Sequence, residues 1–202
     1  MLTATALAAA FARVDARIGD IRDRLNDADS KLGDGDTGMT VASLVTALNG
    51  VAASLPPDLG VALAQCGRAC AQATGSSLGA VIAMAFNAAA RGAKGIEHAD
   101  ASAVATMLTN ACTIIEQRSG ATPGDKSVLD SLAAIRDALA ASNATGTMDH
   151  VALGAAQQAL EQFRDCEAKL GRARMYGAKS VGLDDPGMLA VALVLEALVE
   201  TA

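Results

Sequence analysis

The chain has 202 residues, 51% of them hydrophobic, but only 2% are aromatic and none is Trp. A net charge of -6 and a pI of about 4.8 argue against a surface for nucleic acid or an anionic membrane. The length suits one domain with an ample core. A core of Ala, Leu, Val, Ile and Met suits closely packed helices, because alanine is the best helix former and aromatic strand formers are scarce.

Turn and cap signals divide the sequence into eight helical stretches. The first covers about 3–27. It carries Arg13, Asp15 and Arg17 at amphipathic spacing with no basic leader before them, so it does not read as a secretory signal. An acidic, glycine-bearing segment follows, and a second helix runs from near Gly38 to just before Pro56 and Pro57. The third covers 58–72 and stops at Ala73-Thr74-Gly75-Ser76-Ser77. The fourth covers 78–90 and closes at Arg91-Gly92 and Lys94-Gly95. The fifth, 100–117, takes Asp100 as its N-cap. The sixth, from about Asp125, covers 125–141 and ends at Ser142-Asn143-Ala144-Thr145-Gly146; the seventh runs from 149 to near 170. The eighth, 186–199, starts with Pro186 in its first turn behind Asp185 as cap. Its apolar run at 189–195 is the strongest in the chain and too short to span a membrane.

Eight helices of similar length with mostly short connections predict an all-α fold, an antiparallel up-and-down bundle or closed barrel over 1–202. The loops at 29–38, 73–77, 118–126 and 171–187 hold most of the polar and glycine residues. They follow the first, third, fifth and seventh helices, so an up-and-down arrangement places all four at one end. The connections at 55–58, 91–99 and 142–148 belong to the other end and read as ordinary turns.

The segment Gly33-Asp34-Gly35-Asp36-Thr37-Gly38, with Asp29 just ahead, threads three carboxylates through three glycines. Carboxylates at close range repel unless a cation holds them, and glycines let a backbone turn tightly and approach a ligand closely. Hard oxygen donors of this kind suit magnesium, whose remaining positions are filled by water and phosphate. The segment formally matches a dinucleotide fingerprint, but it follows a helix rather than a strand and would repel a bare pyrophosphate. An EF-hand is excluded too, because position 12 counted from Asp34 is Val45. Thr37, Gly38, Met39 and Thr40 open a helix whose amides can face a phosphate, and Thr37 can equally serve as an N-cap. Thr74 to Ser77 read as a good cap. Asp125 and Lys126 read as structural, a cap and a partner for a nearby carboxylate. Arg172 is suited to gripping phosphate oxygens. Cys66, Cys70, Cys112 and Cys166 lie in apolar helical sequence and read as buried thiols of a reducing cytoplasm. His98 and His150 lie outside the four loaded loops, as surface residues near turns, which excludes a histidine nucleophile or zinc site there.

These four loops, in this order, resemble the nucleotide-binding L subunit of dihydroxyacetone kinase and the equivalent C-terminal domain of single-chain dihydroxyacetone kinases. The resemblance is carried by Asp29 with Gly33-Asp34-Gly35-Asp36, by Ala73-Thr74-Gly75-Ser76, and by Pro123-Gly124-Asp125-Lys126. Gly171-Arg172-Ala173, Ser180-Val181-Gly182 and Asp185-Pro186-Gly187 complete it. It implies an eight-helix barrel that binds ATP or ADP through two magnesium ions held by Asp29, Asp34 and Asp36. Residues Thr37, Gly38, Met39 and Thr40, with Ala73 and Thr74, would line the phosphates. Ser119 and Val128 would lie near the nucleoside, and Arg172, Asp185, Pro186 and Gly187 would complete the pocket. It further implies a cytoplasmic kinase component, inactive alone, whose ketose sits on a histidine of a separate K subunit. The phosphoryl donor would be free ATP or a phosphotransferase protein. Four positions depart from the family: Thr37 and Thr40 stand for its usual His and Asn, and Ser119 and Val128 for Gly and Met. The Thr37-Gly38 pair is more like the related domain of fatty acid kinases, so the alternatives are the nucleotide domain of a fatty acid kinase-like system and a nucleotide-binding regulatory module.

Overall fold

Asp58, Ser76, Asp100 and Ser127 each hold the start of a helix with a side-chain oxygen, accepting the amides of Val61, Gly79, Ala103 and Leu129. These caps help delimit the elements in the computed structural model, which describes residues 1–142 and 147–199. In chain order they are α1 (Ala4–Ala16), α2 (Ile18–Asp29), α3 (Thr37–Ala52), α4 (Leu59–Ala73) and α5 (Ser77–Gly92). There follow α6 (Ala101–Ser119), α7 (Val128–Ala141), α8 (Met148–Arg164), a 3₁₀ segment (Ala173–Ser180) and α9 (Pro186–Val199). The fold is all-α among the described residues; the one extended pairing is an isolated bridge between Leu2 and Ala99.

The expected first helix is two. Arg17 leaves helical geometry at φ -111 and ψ 3, and Gly19, a poor helix former, stands two residues on. The break lets Val14 of α1 and Ile21 and Leu25 of α2 enter one apolar cluster with Val41, Val45 and Leu193. Both pieces lie along α3, so they count as a single rod and the up-and-down parity is kept. From α3 each helix packs on the next in the chain, and α9 returns against α1 and α2 to close the ring. Alanine and cysteine supply much of the interior: Ala62, Ala88, Ala156, Cys66 and Cys70 are fully buried. Small residues let the rods approach closely, and dispersion between packed atoms does the rest.

Two further boundaries differ from the sequence reading. The sixth helix, α7, begins at Val128 rather than 125, because Lys126 takes the left-handed conformation at φ 60 and Ser127, not Asp125, is the cap. Asp125 instead accepts the amide of Thr122 at 2.7 Å. The seventh helix, α8, stops at Arg164 rather than near 170. Its last carbonyl is claimed by Lys126 Nζ at 2.9 Å and by the amide of Gly182 at 2.9 Å, partners that lie outside the helix. The sixth helix, α7, ends at Ala141 as expected, and residues 143–146 of the expected 142–148 turn lie outside the described residues.

Two of the three turns expected at the opposite end do meet: Leu59 donates to Ile96 O at 2.7 Å, and Gly95 to Asp58 Oδ2 at 2.8 Å. Three cysteines are buried as expected, and burial pushes the Cys66 thiol up to about 11 and Cys70 to about 12. Cys166 is a correction: α8 has ended before it, and it is exposed. His98 and His150 are exposed. No helix among the described residues is long and apolar enough to cross a membrane.

Candidate functional site

The C-terminus of α2 and the N-terminus of α3 are joined by the acidic loop, and Asp29 organises that junction. Its Oδ2 accepts the amides of Asp36 at 2.9 Å and Thr37 at 3.1 Å, while Asn26 Oδ1 accepts that of Gly38 at 2.8 Å. Asp29 is buried, and Asp34 and Asp36 are exposed. Even so, one carboxylate oxygen from each of the three lies within 4.8 Å of the others. Gly35 makes the turn at φ 78. Gly38 lets α3 close on α2, since a Cβ there would stand 2.1 Å from Arg22 O.

The helix start is less free than its sequence suggested. Thr37 and Gly38 have their amides committed to Asp29 and Asn26, and Thr40 donates to Asp36 O at 3.0 Å. Thr37 is the first helical residue, following Asp36 rather than acting as the cap. Met39 is largely exposed, and Thr40 is buried.

Over this loop folds the segment between α8 and α9. Leu32 packs with Ala168, Ala173 and Leu183 in a small cluster of its own, and the Tyr176 hydroxyl reaches Gly33 O at 3.5 Å. Arg172 forms an ion pair with Asp34. Gly33, Asp34, Arg172, Met175 and Tyr176 line a cleft of about 410 Å³, within the range of small-ligand pockets. Among the described residues, the one ion pair that reaches the three carboxylates is that of Arg172 with Asp34, and the nearby Lys31 is spent on Asp27 at 2.8 Å. The convergent hard oxygens and the uncompensated negative charge fit a divalent cation.

A second group gathers beside it, where the starts of α7 and α9 meet. Ser127 and Asp130 form a reciprocal capping box on α7, and Asp130 also accepts Gly124 N–H at 2.7 Å. Asp185 caps α9 as expected, accepting the amide of Met188 at 2.9 Å, with Pro186 in the first turn. A Cβ on Gly187 would lie 3.6 Å from Val128 Cβ, so these two site residues are neighbours. Burial raises the Asp185 carboxyl from 3.8 to about 6, against the lowering pull of two backbone amides and Lys126.

The remaining predicted residues stay within their own turns. Ala73 ends α4, and Thr74 Oγ1 accepts the amide of Ser76 at 3.1 Å. Ser119 spends its hydroxyl on Ile115 O at 2.7 Å and on the amide of Ala121 at 3.2 Å. Leu78, in the first turn of α5, packs into the cluster of Leu25 and Val41, which sets the 73–77 turn at the acidic end. Sequence reasoning passed over Asn26, Tyr176 and the buried role of Lys126. The Lys126 ammonium meets carbonyls, not the carboxylate expected of it, and burial lowers its pKa. Its sequence signal was its place in the Pro123-Gly124-Asp125-Lys126 motif, which marks the residue but not its carbonyl partners.

A closed ring of antiparallel helices with carboxylates and a basic residue gathered at one end is the architecture of a known domain class: the chain belongs to the DAK2 domain family, whose domain matches residues 31–200. It is similar to the L-erythrulose 1-kinase of Mycolicibacterium smegmatis, 36% identical over 136 residues, covering 66% of this chain and 24% of the kinase. It is also similar to the ADP-binding subunit DhaL of a PEP-dependent dihydroxyacetone kinase of Listeria innocua, 26% identical and covering 92% of this chain and 90% of the subunit. The crystal structure of the dihydroxyacetone kinase of C. freundii aligns over 95% of this chain and 33% of its own, with TM-score 0.75 and 26% identity. The same kinase in complex with AMP-PNP and Mg2+ aligns with TM-score 0.71 and 28% identity. The chain therefore spans a quarter to a third of the length of the larger kinases it matches, and nine tenths of the Listeria subunit.

Proposed function

We propose that this chain is the ADP- or ATP-binding component of a dihydroxyacetone-type kinase, with magnesium held by Asp29, Asp34 and Asp36. The observation that carries the reading is the convergence of those three carboxylates within 4.8 Å, one of them, Asp34, lining a cleft with Arg172. The binding of AMP-PNP and Mg2+ by the C. freundii kinase and of ADP by the Listeria subunit supports it. Asp29, Asp34 and Asp36 would hold the magnesium, which would supply positive charge against that developing on the phosphate during transfer. The chain's own residues supply position. Asp29 is fixed by the α3 amides, so it presents a carboxylate whose orientation is set before ligand arrives. Arg172 exchanges Asp34 for the phosphate group, donating to two of its oxygens as a guanidinium does to a carboxylate. The paired starts of α7 and α9, with Val128 and Gly187 in contact, form the nucleoside side.

The acceptor is a short ketose held by a histidine of a separate K subunit, and the chain alone is inactive. Both of its own histidines stand outside the acidic loop and the 165–185 segment. Met39, Met175, Tyr176 and Val181 are exposed on the elements around the cleft, a surface suited to that docking. The donor, free ATP or a phosphotransferase protein that recharges bound ADP, is decided by how fast ADP exchanges.

Calorimetry of magnesium-dependent ADP binding tests the reading on wild type and Asp34→Ala. Affinity should fall by at least about tenfold, in line with the loss of a charged, metal-facing group. Equal affinity of the two proteins would remove the metal-site assignment. Addition of a K subunit and dihydroxyacetone should produce turnover that the chain alone lacks.

A further inference from the structure

Lys126 is 1% exposed, and it reaches that position from a left-handed backbone conformation with φ 60. All three ammonium protons are used, on the carbonyls of Arg164 at 2.9 Å, Cys166 at 2.8 Å and Ser180 at 2.8 Å. Two of those carbonyls lie at the end of α8 and the third at the end of the 3₁₀ segment, where backbone dipoles leave negative charge uncompensated. Arg164 and Cys166 are near neighbours in the chain and Ser180 lies fourteen residues beyond Cys166, and all three are gathered on one point charge. Between them the chain makes an excursion whose closure is reinforced by Ala168 donating to Ser180 Oγ at 2.9 Å and Lys169 to Asp125 O at 3.0 Å. Arg172 rides on that excursion, over the acidic loop. Directly after Lys126 comes the capping box of α7, whose Val128 touches Gly187. One ammonium thus joins the segment that carries Arg172 to the start of α7, where Val128 meets Gly187 of α9.

We propose that Lys126 is a positioning residue for Arg172: by tying the carbonyls of Arg164, Cys166 and Ser180 to the start of α7, it sets where the guanidinium stands relative to Asp34 and to a bound phosphate. The proposal rests on the nucleotide-site reading above. A neutral side chain at 126 takes this donor from the Cys166 carbonyl, leaves Arg164 and Ser180 only the amides of Gly182 and Leu183, and lets the excursion drift, so the phosphate loses its arginine while the three aspartates keep their places.

The test is Mg·ADP affinity, measured by calorimetry on the whole chain for wild type, Lys126→Met, Arg172→Ala and the double variant. Each single change should weaken binding about tenfold, with the double no weaker than Arg172→Ala, the mark of two residues acting through one contact. Losses that multiply, or unchanged affinity in Lys126→Met, overturn the proposal. Limited trypsin cleavage without nucleotide reads the anchor directly, since Arg172, Arg174 and Lys179 are exposed on the excursion. Lys126→Met should be cut there faster than wild type, while Arg68 and Arg91 on α4 and α5 stay protected. Cleavage unchanged, or rising everywhere together, counts against the anchor. Lys126→Gln, which keeps two N–H donors, serves in both arms if the methionine variant does not fold. A wild type that ignores Mg·ADP overturns the functional reading and the coupling to nucleotide, and the trypsin arm still decides the anchor.

Discussion

Gly38 has no room for a methyl group: a Cβ there would stand 2.1 Å from Arg22 O and 2.6 Å from Asn26 Oδ1. Backbone atoms cannot rotate away as a flexible side chain can, so Gly38→Ala has to push the start of α3 off α2. Overpacking of this kind costs about 2 kcal/mol, read as a fall in the urea midpoint. The same shift pulls the amides of Asp36 and Thr37 away from Asp29, so Mg·ADP affinity should fall with it. Stability loss at unchanged affinity would detach the metal loop from the α2–α3 contact. At this scale the sequence displayed its charged residues well: Asp29, Asp34 and Asp36 do converge, and Arg172 does meet Asp34. It did not display what holds them. Asn26 acts across a twelve-residue separation, and Lys126 acts on carbonyls, which every residue carries and no composition reveals.

At the scale of helices, the start of α9 carries a charge that the fold disfavours. Burial raises the Asp185 carboxyl to about 6, so the folded chain holds that proton more tightly than the unfolded chain, whose carboxyl titrates near 3.8. Between those two values stability falls as pH rises, because the unfolded state sheds the proton first. Asp185→Asn keeps an oxygen for the Met188 amide and removes the titration. Its urea midpoint should therefore drop less than that of wild type from pH 4 to pH 7, the difference amounting to about 1–3 kcal/mol. Parallel pH profiles for the two proteins would contradict this. Caps of this type were legible as short polar signals: Asp100, Asp185 and Ser76 stand where local patterning put helix starts. Element ends set by distant partners were not. The break at Arg17 serves a cluster shared with α3 and α9, and α8 ends where Lys126 and Gly182 take its carbonyl.

For the molecule as a whole, the ring's parity is what made the site readable. Counting helices placed four loaded loops at one end, and splitting the first rod into α1 and α2 left that count intact because both lie along α3. A site assembled from several helix ends should couple ligand binding to the stability of the whole ring. A ligand that binds only the folded state adds about 2.7 kcal/mol at a hundredfold excess over its Kd. For a chain of this size each kcal/mol raises Tm by about 2–4 °C, so saturating Mg·ADP should raise it by about 5–10 °C. Asp34 is exposed and contributes an ion pair with an exposed arginine, so Asp34→Ala should leave the ligand-free Tm nearly unchanged while abolishing most of that rise. EDTA should abolish the rise in wild type and leave the ligand-free Tm where it was. A nucleotide-induced shift that survives both EDTA and Asp34→Ala would place the nucleotide elsewhere on the ring, away from the three aspartates.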